Sequence, residues 1–183
     1  MTVRRSPEQI YDRRSWRSRW SGPWSHSGAV IRAAVIALAA VAFQGALGAK
    51  LSLGLFTPHL GMLAIALIGA SAGSATGAWA GFFVGLAEGS ATGVALGGHI
   101  ASRTFAGFVA GLLPSRLAKH HPLTPSVAAI AVVMTAELGL FLFAPSSGWR
   151  SQISAACGAA LVNAILAFPA MALVKRWFRP SEE

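Results

Sequence analysis

Hydrophobic and polar positions divide the chain into long apolar stretches separated by short polar ones. Ala29–Gly48, residues 124–144 and residues 153–174 are each apolar nearly throughout, and each has about the 20 residues that one membrane crossing requires. The region Leu60–Leu113 carries only Glu88, His99 and Arg103 as possible charges. As a single helix it would be roughly 80 Å long at about 1.5 Å per residue, so it must fold back on itself.

Charge decides how often it folds back. The N-terminus, the segment Ser115–His121 and the segment Lys175–Arg179 are all basic, and basic loops stay on the cytoplasmic side. An even number of spans must then separate each pair, so Leu60–Leu113 contributes three, at about 60–73, 76–88 and 94–113. The pattern predicts an all-α membrane protein, a compact bundle of six transmembrane helices with short Gly-rich turns and both termini cytoplasmic. Residues 1–27 form a basic, Trp- and Arg-rich cytoplasmic segment, 28–179 the transmembrane domain and 180–183 a short tail. Trp16, Trp20 and Trp24 recur every fourth residue among Arg13, Arg14, Arg17 and Arg19 until Pro23 interrupts them. That spacing suits either a helix on an anionic membrane surface or an unstructured basic tail. With a polar leader this long, the first apolar stretch is expected to be a retained helix, not a signal peptide.

Composition agrees with the pattern. Charged residues make up 11% of the chain, hydrophobic ones 54%, and the mean hydropathy is +0.57, against about 25% charged residues in soluble domains. The net charge of +9 sits mainly in flanking segments, so it points to anionic lipid and no nucleic-acid partner is expected. The lone Cys157 cannot form an intramolecular disulfide or a thiolate zinc site and is expected to be a small packing residue.

Glycine occupies positions 69, 73, 77, 81, 85, 89, 93 and 97, every fourth residue. Small residues at that interval let membrane helices approach closely, and those in Ser71–Gly77 and Glu88–Gly93 also read as turn residues. No phosphate-binding loop accompanies them. Ionisable groups at membrane depth usually face a bundle interior and pair with one another. Glu88, His99, Arg103 and Glu137 are therefore expected to be buried polar groups, with Arg103 and Glu137 as partners and Glu88 at the outer end of its span. No nucleophile–base or paired-carboxylate arrangement is apparent, so neither an enzyme nor a cofactor or metal is expected. Asn163 and Pro169 stand out in the last apolar stretch, the first as a cross-helix hydrogen-bonding group, the second as a point that loosens the helix before its basic exit.

Thr57-Pro58, the span GAWAGFFVGLAEGSATGVALG (Gly77–Gly97) and the closing LVNAILAFPAMALVKRWFR (Leu161–Arg179) together resemble the rod shape-determining protein MreD family. The order and spacing of these motifs over about 57–179 carry the resemblance. The family's acidic residue falls at Gly89, and the carboxylate here is one position earlier, at Glu88. The resemblance implies a non-enzymatic scaffold in the bacterial inner membrane, part of the cell-elongation machinery. Its partner would be MreC, and through MreC the MreB filament, the RodA glycosyltransferase and a penicillin-binding transpeptidase. Gly77, Gly81, Gly85, Asn163 and Pro169 are expected to shape helix packing and a backbone groove for a single-span partner. The other reading is the substrate-binding S component of an energy-coupling-factor vitamin transporter, for which Ala33 and Ala37 would offer a docking face on the first span.

Overall fold

The computed structural model describes residues 23–51, 57–116, 123–145 and 148–177. These form six helices and, among the described residues, no strand: α1 (Pro23–Leu51), α2 (Leu60–Ala72), α3 (Ser74–Thr92), α4 (Leu96–Arg116), α5 (Thr124–Phe143) and α6 (Trp149–Trp177). Three are long and apolar enough to cross a membrane, over Ser27–Ala46, Thr124–Phe143 and Trp149–Val174, and the chain is a membrane protein. Leu142, Ile165 and Leu173, each at least 70% exposed, face outward, where only a lipid environment removes them from water. Trp16, Trp20 and their arginines, most of Ser115–His121 and the tail 180–183 lie outside the described residues.

The three-way division of Leu60–Leu113 appears as breaks at two glycines. Gly73 (φ 91°) separates α2 from α3, and Gly93 (φ 66°) ends α3 in the left-handed region. A Cβ is disfavoured in both conformations. The first helix is longer than expected and reaches back to Pro23, whose fixed φ suits a first helical turn.

Helix α2 is the axis of the bundle and packs against each of the other five helices. Residues Gly61–Gly69 are buried without a break, as befits a helix that is apolar on every side. Its 13 residues span only about 20 Å, less than the roughly 30 Å of a hydrocarbon core. Six helices appear among the described residues where six spans are expected, but α2 is too short to cross a full hydrocarbon core on its own.

Contacts between helices show how α2 is set. The Gly61 amide donates to Gln44 Oε1 of α1 at 3.1 Å, and Asn163, midway along α6, bonds the backbone of His59. At its other end, Ser71 Oγ donates to Met171 Sδ of α6 at 3.3 Å. Helix α2 thus begins below the ends of α1, α3 and α6 and finishes beside the last turns of α6. Chain neighbours are antiparallel. Gly77 meets Gly107, and Gly81 meets Arg103, between α3 and α4; Gly98 meets Phe143, and Ser102 meets Gly139, between α4 and α5.

Cys157 is exposed, which corrects its expected role in packing: it lies on the outward side of α6, opposite buried Gly158, Ala159 and Ala160.

Candidate functional site: a polar cleft above a buried charge cluster

The α3–α4 interface is the most extensive in the bundle, and the glycine ladder explains why. A Cβ on Gly77 would meet the Gly107 carbonyl oxygen, one on Gly81 the Arg103 carbonyl oxygen, and one on Gly85 the His99 carbonyl oxygen at 2.6 Å. In return, Cβ atoms on Gly107 and Gly111 would strike the Gly77 carbonyl oxygen and the Ser74 amide. The two helices therefore touch backbone to backbone over four turns. The expected groove for an incoming partner at Gly77, Gly81 and Gly85 is corrected: α4 already fills it. The opposite side of α3 carries Trp79, Phe82 and Phe83, whose rings pack on one another with centroids 5.5–6.2 Å apart.

This close approach sets the depth of Arg103, whose side chain is 4% exposed. Its Nε donates to Glu88 Oε2 at 2.9 Å and its Nη2 to Glu137 Oε1 at 3.2 Å. Its Nη1 donates to the Ala136 carbonyl at 3.2 Å and to Ser102 Oγ at 3.3 Å. A planar guanidinium spreads its donors over three nitrogens and reaches acceptors around its whole edge; a lysine would have to gather them about one atom. The structure thus brings Arg103 and Glu137 together and adds Glu88, which turns inward onto Arg103 from α3. His99 Nδ1 lies 4.0 Å from Glu88 Oε2, beyond hydrogen-bond range.

Because α2 starts low, the space above its first turn is not filled by helix. It forms a cleft of about 400 Å³ lined by Gln44 and Gly45 of α1, Thr57 and His59 before α2, Glu88 and Thr92 of α3, and His99 and Arg103 of α4. Gln44 and His59 were not legible as site residues. The available signal was an amide inside the first apolar stretch and a histidine at the foot of the second.

Asn163 is fully buried and anchors the floor of the cleft. Its Oδ1 accepts from the His59 amide at 3.1 Å and its Nδ2 donates to the His59 carbonyl at 3.0 Å. Both backbone groups of the residue that precedes α2 are thereby bonded to one side chain. Pro169 lies inside α6 on its exposed side and removes one backbone donor from the helix; it touches neither the cleft nor the cluster. A separate apolar groove of about 320 Å³ runs between α1 and α6, floored by Leu60, Leu63, Ala64 and Leu67 of α2.

Compared with known proteins, the chain matches no family model, no curated protein and no solved structure.

Proposed function

We propose that the protein is a non-enzymatic, multi-pass scaffold of the bacterial inner membrane that acts like MreD, holding MreC within the cell-elongation machinery. One observation carries this reading. The three segments that resemble the MreD family meet in space: Asn163 of the closing segment clamps His59, next to Thr57-Pro58, and Glu88 of the glycine span closes the same corner above Gly61. In this reading α1, α3, α4, α5 and α6 cross the membrane as single helices, the buried half-length α2 completes the pass between α1 and α3, and the basic ends face the cytoplasm. MreB, RodA and the transpeptidase would be reached through MreC.

The surface for a single-span partner is then the groove between α1 and α6. Helices that lie in lipid associate through close packing, and this apolar groove has Leu63, Ala64 and Leu67 of the central helix at its floor. Replacing Ala39 by Trp should fill the groove and abolish co-purification of MreC, while Leu142→Trp on α5 should leave it intact. Retention of MreC by the Ala39→Trp protein overturns the assignment of the groove. Co-purification of a pair of ABC ATPases in place of MreC overturns the scaffold reading.

The transporter S component remains the second reading, because a polar cleft at the end opposite the basic segments suits a captured solute. Against it, Ala33 and Ala37 are both 0% exposed, so the face that would dock a coupling subunit is turned into the core.

A further inference from the structure

Two groups at the cleft have buried atoms without a hydrogen-bond partner: Glu88 Oε1 and His99 Nδ1. The charge around them does not balance. Glu88 and Glu137 set two carboxylates against the single guanidinium of Arg103, and the remaining described side chains of the lining are formally neutral. An excess negative charge next to unpaired acceptors is costly away from water. The cleft is also large enough for a small organic molecule, and Gln44, His59 and Thr92 offer further polar contacts around it.

We infer that the cleft above α2 binds a small organic compound through a protonated amine, which sits against Glu88 beside His99. A metal ion would need a third protein donor, and the described residues bring no three His, Cys, Asp or Glu groups together for one. An ammonium group has three N–H donors of its own and needs only acceptors within reach. It supplies the missing positive charge beside the Glu88 carboxylate. The inference rests on the cleft alone and stands apart from the MreC reading.

The test uses the full-length protein purified in detergent, with putrescine as probe and 1,4-butanediol and potassium chloride at matched ionic strength as controls. Putrescine should raise the melting temperature saturably, by about 5 °C well above its dissociation constant, and neither control should. Glu88→Gln keeps an oxygen for Arg103 but removes the charge, and should abolish the shift. Gly45→Trp is an independent variant: Gly45 lines the cleft, yet a Cβ there meets nothing within 4 Å, so the indole should plug the cleft without disturbing the core. It too should abolish the shift. No saturable shift, an equal shift with either control, or a shift retained in either variant overturns the inference.

Discussion

Asn163 of α6 and the backbone of His59 exchange two hydrogen bonds, so one side chain satisfies both the donor and the acceptor of the residue that precedes α2. Asn163→Ala should strand the His59 N–H and cost about 1–3 kcal/mol, because the His59 carbonyl still accepts from the Leu63 amide at 2.9 Å. Asn163→Asp keeps the acceptor but loses the donor, and places a charge there. Thermal unfolding in detergent should rank wild type well above both variants. An alanine variant as stable as wild type would mean that water reaches His59.

The glycine seam predicts a sharp contrast between two positions of one residue type. Gly81→Ala drives a methyl group into the Arg103 carbonyl of α4, whereas Gly45→Ala meets nothing. The first should lower stability by about 1–3 kcal/mol through overpacking, and the second should be neutral or slightly stabilising through helix propensity. Equal melting temperatures for the two would show that α3 and α4 are not in backbone contact.

Arg103 should be non-additive with its carboxylates. Arg103→Ala strands two half-buried acids and should cost up to about 3–5 kcal/mol, the loss when one partner of a fully buried pair is removed. Adding Glu88→Gln and Glu137→Gln to it should recover part of that loss. Arg103→Lys should rescue poorly, because one ammonium cannot reach both Glu88 and Glu137 and the Ala136 carbonyl in the same plane. If the triple variant is less stable than Arg103→Ala alone, the cluster is not a charge-compensated unit.

The proposed orientation is open to cysteine labelling in a Cys157→Ala background. Cysteines at Thr92 and Gly148 should react with an impermeant reagent added outside the cell, and one at Ser115 should not. The reverse pattern would invert the bundle.

How much of this was readable in advance depended on whether a residue announced its partner. The breaks at Gly73 and Gly93 were legible because glycine follows small polar residues there, in places where a helix of that length had to turn. Arg103 pointed to Glu137 because an isolated cation in an apolar span needs an anion at its depth. The short reach of α2 was not legible, since a uniformly apolar segment has no face and its depth is set by Gln44 and Asn163 on other helices. The occupant of the glycine groove was hidden for a related reason. Between Gly107 and Gly85 the contacts of α4 are the carbonyls of Arg103 and His99, and a backbone atom leaves no mark on residue identity. Glu88 looked like an end-of-span group until its distance to Arg103 was known.

The pairing of Glu88 with Arg103 across the Gly93 turn also bears on biogenesis. Glu88 and Arg103 stand 15 residues apart, and Glu137 is synthesised well after both. Neither α3 nor α4 is among the helices apolar enough to cross on its own composition, and an arginine at the centre of an inserting helix costs about 2.5–3.5 kcal/mol. If the two leave the ribosome and enter the bilayer as one hairpin, the guanidinium travels with its counter-ion and the exposed glycine backbones are covered by each other from the start. The unit of insertion is then the pair. With α1 already inserted, a ribosome stalled just after α3 should leave α3 outside the bilayer, and one stalled after α4 should leave both α3 and α4 within it.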